Sequence, residues 1–362
     1  MRPLLPILAL TLTGCATSSF FVNPTTPINP NRDPTLLYYH ALGDSITQGT
    51  GLGSPSTQAY PALLAAANAL PSPANYASGG DQGCDLPTRQ IFPNADAPAL
   101  THRGLYTILI SSSDVVLYGT AGPHEATFNL CHQASIAWLG TPAESKLLAS
   151  DATSSGPSHF EGPPFNALWT DAPQASLTFP LRLNTPGAVY IWYRIVDASP
   201  GTFTAFLDSA PIASPTTGTL PLIQTRNGTH DSLALLRIPT VLAGPHTLTF
   251  VQTSPGPSGL GIVAVGTPPP TASPLAPKLL VGTTPRQLQG GTGPCAISDA
   301  PCQAYIADIT ANVALLRSDG LNLTLFDSRK YESGTSADMF DSLHPNLQGH
   351  KELFQSIEDQ LQ

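Results

Sequence analysis

The sequence predicts an α/β protein, a parallel sheet flanked by helices, interrupted by an inserted all-β sandwich or jelly roll. Apolar runs at residues 36–42, 105–110, 278–282 and 321–326 have the length of buried strands, and helical stretches follow them. Between residues 151 and 277 the texture changes to short, often alternating segments separated by Gly, Pro, Asn and Ser turns.

At the N-terminus, Arg2 precedes an apolar stretch, residues 4–12, too short for a bilayer span of about 20 residues. It reads as an export signal, residues 1–15. Its end, Leu12-Thr13-Gly14-Cys15, resembles the bacterial lipoprotein processing site, which implies a lipid on Cys15 and attachment to a membrane through that anchor only. A plain signal peptide that leaves the chain secreted, or an N-terminal strand carrying a cysteine, are the other readings. Residues 16–35, rich in Ser, Thr, Asn and Pro, then form a flexible tether.

The strand at 36–42 leads through a glycine-rich turn to a helical Ala/Leu run at 60–70, and with the strand at 105–110 these belong to a first α/β part, residues 36–150. In the insert, residues 151–277, strands are expected at 175–183, 188–196, 202–207, 233–238, 246–251 and 261–265, before a Pro-rich exit. The second α/β part, residues 278–362, holds a helix at 303–318 with Ile306, Ile309, Val313 and Leu316 on one face, ended by Gly320. A terminal helix carries Leu347, Leu353, Phe354, Ile357 and Leu361, with Pro345 suited to its first position.

Only 11% of residues are charged, 41% are hydrophobic and 38 are proline, which describes a loop-rich globular chain rather than a coiled coil or a disordered one. A net charge of -9 without a long basic run argues against nucleic acid as a partner. With Cys15 set aside, Cys84, Cys131, Cys295 and Cys302 permit two disulfides in three connectivities in an exported chain. The preferred pairing joins Cys295 to Cys302 across a Gly/Pro-rich loop and Cys84 to Cys131; four buried thiols are the alternative. The cysteines lack a CxxC pair and the histidines are scattered, so no metal and no cofactor are expected.

Three distant segments carry chemistry: Gly43-Asp44-Ser45-Ile46-Thr47, Asn75-Tyr76-Ala77-Ser78-Gly79-Gly80 and Asp341-Ser342-Leu343-His344-Pro345. Ser45 falls at the C-terminal end of a strand, where open α/β sheets bind ligands and the N–H groups of the next helix face negative charge. A serine hydroxyl needs a base within hydrogen-bond reach, and the base needs a partner that sets its tautomer. His344 and Asp341, three residues apart, fit those two roles. Singly, Gly43-Asp44-Ser45 is equally a polar turn, and Asp341 with His344 equally a pair of helix caps. Their order, with the base just before a C-terminal helix, is far more specific. Nucleophile and base lie on opposite sides of residues 151–277, which makes that region a guest within the catalytic unit.

These blocks resemble the SGNH, or GDSL, superfamily of esterases and lipases, over residues 36–150 and 278–362 and not over the middle. The resemblance implies an SGNH-hydrolase-like sheet, with Ser45 as nucleophile, His344 as general base and Asp341 as its orienting carboxylate. It implies oxyanion donors at the backbone of Ser45 and of Gly79, and a structural role for Asp44. The family's third block, Gly-x-Asn-Asp, aligns with Ser111-Ser112-Ser113-Asp114, so a serine, Ser113, stands where an asparagine amide would complete the oxyanion hole. The implied activity is an exported serine esterase acting on acetylated polysaccharide or a short-chain acyl ester. The second reading, motivated by Ser111 and Ser113, is a catalytically weakened homologue that binds surface glycan. Tyr190, Trp192 and Phe203, with Trp169 upstream, are candidates for a sugar-stacking face or for sandwich core. His159, His230 and His246 show no partner in the sequence, while His132 and Trp138 fit helix packing.

Overall fold

The computed structural model describes residues 32–95, 103–119, 122–196, 203–212, 225–226, 231–253, 259–269 and 276–361. Cys15, His230 and residues 16–31 of the expected tether lie outside them.

The chain opens with β1 (Tyr38–Gly43), α1 (Ser45–Gln48), α2 (Pro55–Gln58), α3 (Tyr60–Ala67) and β2 (Ala74–Asn75). A π-helical segment, Leu86–Ala95, precedes β3 (Gly104–Leu109), α4 (Ser112–Tyr118) and α5 (Gly122–Gly140). The β unit follows with β4 (Lys146–Leu148), β5 (Thr153–Ser155), β6 (Ser158–Phe160), β7 (Leu168–Thr170), β8 (Ser176–Leu183), β9 (Gly187–Val196), β10 (Phe203–Leu207), β11 (Ala210–Pro211), β12 (Asp231–Val241), β13 (Gly244–Gln252) and β14 (Gly261–Gly266). The chain then returns through β15 (Lys278–Gly282), α6 (Pro294–Ile297), α7 (Ala300–Ser318), β16 (Leu323–Phe326) and α8 (Leu347–Glu358).

The first and last parts share one parallel sheet, ordered β16-β15-β3-β1-β2. Side-chain alternation assigns its layers. Tyr39, Ala41, Leu105, Leu109, Leu280 and Phe326 pack with Tyr60 and Leu64 of α3 and Leu353 and Ile357 of α8. Leu42, Tyr106, Ile108, Leu279 and Val281 pack with Phe128 and Ala134 of α5 and Tyr305, Ile309 and Leu316 of α7. From β1 the chain moves to β2 on one side and then to β3 on the other. The C-terminal end of β1 is therefore a topological switch point, where a crevice opens.

The β unit is two antiparallel sheets, β11-β10-β13-β8-β5 and β12-β9-β14-β7-β6, with β4 beside β14. The six expected strands form β8, β9, β10, β12, β13 and β14. Three-residue strands such as β4 show no periodicity, and β4 places the start of the sandwich before residue 151, where the sequence had suggested it.

β9 is buried on both faces. Val189, Ile191, Tyr193 and Ile195 point into the sandwich with Leu177, Phe179, Phe203 and Phe250. Ala188, Tyr190 and Trp192 point the other way, into the core shared with α5 and α7. Trp192 Nε1 donates to Ala134 O at 3.1 Å and the Tyr190 hydroxyl to Asp319 Oδ2 at 2.7 Å. The aromatic residues offered as a sugar-stacking face are thus interior: Trp192 and Tyr190 are fully buried, Phe203 and Trp169 nearly so. Guest and host are one packed body rather than two modules on a hinge.

The structure pairs Cys84 with Cys131, tying the loop after β2 to α5, and Cys295 with Cys302, joining α6 to α7. Pro345 is not the first helical residue of α8. Asn346 takes the cap, its side chain accepting the N–H of Gln348 and of Gly349, because an amide oxygen satisfies donors that proline cannot. His159 and His246 have acidic partners that the sequence did not reveal, Asp171 and Asp208, each at 2.6 Å. His132 is buried on α5, and burial pushes its pKa down to about 3.

Candidate active site

The turn after β1 is built around a close approach. A methyl group on Gly43 would lie 2.2 Å from Leu109 O and 2.3 Å from Thr47 Oγ1, so only hydrogen fits. Gln90 of the π-helical segment completes this residue's backbone pairing, accepting from Gly43 N at 2.9 Å and donating to Gly43 O at 2.8 Å. Asp44 caps α1, its Oδ1 accepting the N–H of Ile46 at 3.0 Å, while its Oδ2 accepts the N–H of Ser112 at 3.1 Å. One buried carboxylate thereby joins the turn of Ser45 to the start of α4. Burial pushes its pKa up to about 6 against those two hydrogen bonds.

Across the crevice, His344 Nε2 lies 2.8 Å from Ser45 Oγ, and His344 Nδ1 lies 2.8 Å from Asp341 Oδ2. Asp341 Oδ1 also accepts the N–H groups of Leu343 and His344, each at 2.8 Å. Burial raises the Asp341 pKa, but those two N–H groups and the imidazole outweigh it and hold the carboxyl below the usual range. An ionised carboxylate only accepts, so Nδ1 carries the proton, and Nε2 of the neutral ring accepts from the serine hydroxyl. His350 lies below on α8, where its Nδ1 accepts the N–H of Tyr60 at 3.3 Å.

The loop bearing His344 is held by backbone bonds. Asp338 accepts the N–H groups of Ser333, Gly334 and Thr335, and the N–H of Phe340 donates to His344 O at 2.7 Å. Beneath it Glu332 is buried, its Oε2 accepting the N–H of Arg286 at 3.1 Å and its Oε1 without a hydrogen-bond partner among the described residues. Burial pushes this carboxyl from 4.5 up to about 8. Folding thus favours its protonated form, a stabilisation complete below about pH 4.5 and lost as pH rises through about 8. Glu332→Gln, which cannot ionise, is expected to flatten this dependence. Urea midpoints measured between about pH 5 and about pH 8 should fall in the wild type relative to the variant; parallel curves would contradict the assignment.

Among the donors the sequence named, Gly79 is differently engaged. Its N–H donates to Gln48 Oε1 at 2.8 Å. The N–H groups of Ser45 and Gly80, by contrast, have no partner among the described residues, and both residues line the same cavity. The sequence named Gly79 and not Gly80, and which of two adjacent glycines keeps a free N–H rests on a side chain 31 residues away. Gly80 sits at φ +83°, a conformation glycine adopts without strain.

Ser113 lines the same cavity, and its hydroxyl has no partner among the described residues. Ser111, at the third block's glycine position, adopts φ +138°, which glycine tolerates and serine resists, and its Oγ lies 2.9 Å from Thr284 Oγ1. Asp114 accepts the N–H of Gly83 at 3.0 Å and is kept protonated toward higher pH by burial, with Asp44 and Asp85 adding to the shift.

The cavity holds about 380 Å³ and is lined by Ser45, Thr50, Gly79, Gly80, Ser113, Val116, Leu117, Leu343 and His344. Its rim is apolar: Val116 is 41% exposed and Leu117 56%, while Phe340, 60% exposed, covers Gly51 beside it. Among the described residues no group of His, Cys, Asp and Glu is arranged to hold a metal, and no helix is long and apolar enough to cross a membrane.

No family model and no curated protein matches the chain. Among solved structures it is similar to a family 35 carbohydrate-binding module from Clostridium thermocellum, at 9% identity over 33% of this chain and 95% of the module, with a TM-score of 0.26. The C-terminal CBM6 of LamC from Zobellia galactanivorans is 16% identical over 33% of this chain and 94% of its own, TM-score 0.25. A CBM36 module in complex with calcium and xylotriose is 13% identical over 33% and 96%, TM-score 0.26. Likenesses of this strength carry no argument about what the present chain binds. What fold and site define together is an α/β protein with a parallel sheet, an embedded antiparallel sandwich and a hydrogen-bonded Ser–His–Asp chain at the sheet's switch point.

Proposed function

We propose that this protein is a serine esterase of the SGNH type. The observation that carries the reading is the chain from Asp341 through His344 to Ser45, 2.8 Å at each link, beside an open cavity. Ser45 Oγ attacks an ester carbonyl as His344 Nε2 takes its proton; His344 then returns that proton to the leaving alcohol, and water cleaves the acyl-enzyme by the same route. Asp341 keeps the imidazole in the tautomer that accepts from serine. The N–H groups of Ser45 and Gly80 and the hydroxyl of Ser113 stabilise the oxyanion, with Gly80 in the place the sequence had assigned to Gly79. The two disulfides support an oxidising compartment and hence export; the proposed anchor, Cys15, lies outside the described residues.

The cavity favours a short apolar acyl chain over acetylated polysaccharide. Among the described residues that line it, His344 is the only ionisable one, and Val116, Leu117 and Leu343 offer aliphatic contact. Each methylene buried there contributes about 0.8 kcal/mol, roughly fourfold in kcat/KM. A nitrophenyl ester series is therefore expected to rise from acetate to hexanoate, and Leu117→Asp to flatten it. A series that falls after acetate would sink the apolar-pocket assignment and return polysaccharide acetate to the front. An alkyl fluorophosphonate should add to Ser45 alone, read by peptide mass. No adduct there, together with no ester turned over, would overturn the esterase reading.

A further inference from the structure

Among the described residues of the β unit, Arg226 reaches the loop beside the active site. Thr225 and Arg226 lie between β11 and β12, and Thr225 is buried. Arg226 Nη1 donates to Ser78 Oγ at 2.6 Å, its backbone N–H donates to Asp85 Oδ2 at 2.9 Å, and Nη1 lies 3.7 Å from Asp81 Oδ1. A methyl group built on Gly80 would lie 3.5 Å from Arg226 Nε, so the side chain runs alongside that glycine. Nearby, Ser232 Oγ of β12 donates to Cys84 O at 3.0 Å. The guest thus grips the loop of residues 78–85 at both ends.

The grip continues toward the nucleophile. Asp81 is fully buried; its Oδ1 faces Arg89 at 3.4 Å as well as Arg226, and its Oδ2 accepts from Gln90 Nε2 at 2.8 Å. Gln90 is the residue that pairs with both backbone groups of Gly43, two positions before Ser45. One polar chain therefore runs from Arg226 through Asp81 and Gln90 to the strand end that presents the nucleophile. The Arg226 side chain is 45% exposed, and an ion pair that wet contributes little to stability, so its consequence lies in geometry.

We propose that Arg226 is a positioning residue: by holding Ser78 and Asp81 it sets the Gly80 N–H against the oxyanion, which makes the inserted sandwich a working part of the hydrolytic centre. The kinetic consequence rests on the esterase reading; the structural one does not. Small displacements of an oxyanion donor cost about 10²-fold in rate.

The test uses the full chain carrying Arg226→Ala, Arg226→Lys or Ser78→Ala. In Arg226→Ala, kcat for a butyrate ester is expected to fall about ten- to a hundredfold at nearly constant KM, with Arg226→Lys recovering part of it, since an ammonium can still donate to Ser78. Ser78→Ala should move kcat the same way, and the double variant should be no worse than Arg226→Ala, as expected for one shared contact. Amide exchange across residues 78–85 should quicken at least tenfold in Arg226→Ala while the urea midpoint hardly moves. Unchanged kcat, or a raised KM at constant kcat, overturns the proposal. If the wild type turns over no ester, the esterase reading fails separately, and exchange alone decides: unaltered exchange overturns Arg226 as the holder of this loop.

Discussion

Ser45→Ala is expected to lower kcat/KM for a butyrate ester by at least about four orders of magnitude with the fold intact. Among the described residues the Ser45 hydroxyl has one partner, His344 Nε2, so its removal gives up a single hydrogen bond, about 1 kcal/mol of stability. Chemistry loses far more, because the covalent route disappears and His344 is left with no hydroxyl to activate. Asp341→Asn should approach the same loss by another path. An amide can donate to Nδ1, which moves the imidazole proton to Nε2 and turns the base away from serine. The check is turnover alongside circular dichroism and a urea midpoint. Residual activity within tenfold of wild type in Ser45→Ala would show that the nucleophile is elsewhere.

Ser113→Asn is expected to raise kcat, by about ten- to a hundredfold, with KM little changed. Removing one oxyanion donor typically costs a factor of about 10² to 10³, and a freely rotating hydroxyl recovers only part of it. Ser113 stands in the first turn of α4, lines the cavity with Ser45 and Gly80, and has no competing partner among the described residues. An asparagine amide there is longer and donates from a planar group. The gain should appear in kcat because the oxyanion exists in the transition state and not in the ground state. Asparagine is compatible with a first helical turn, so a lower kcat with unaltered stability would mean that position 113 does not face the oxyanion.

The parts of this molecule written in local pattern were legible. Long strands showed as apolar or alternating runs, and β9 was recognised for that reason. Its two faces were not distinguishable, because alternation says that Tyr190 and Trp192 share a face, not that α5 and α7 cover it. Asp341 and His344 were readable as a pair because three residues of turn suffice to bring carboxylate and ring together. Gly80 was not, and neither was Gln90: a glycine's free N–H and a glutamine's bond to Gly43 depend on neighbours placed by packing.

Taken alone, the sequence determined the fold classes of both parts, the pairing of the cysteines as the preferred one of three, and the identity of the three residues that form the hydrogen-bonded chain. These rest on composition, on periodicity, on the even cysteine count and on short motifs whose order along the chain resembles the SGNH blocks. Tertiary structure decided which sandwich face is interior, which glycine keeps its donor free, and that Arg226 reaches Ser78 across 148 positions. Such meetings are set by how complete layers pack, and the loop between the partners encodes neither their distance nor their orientation.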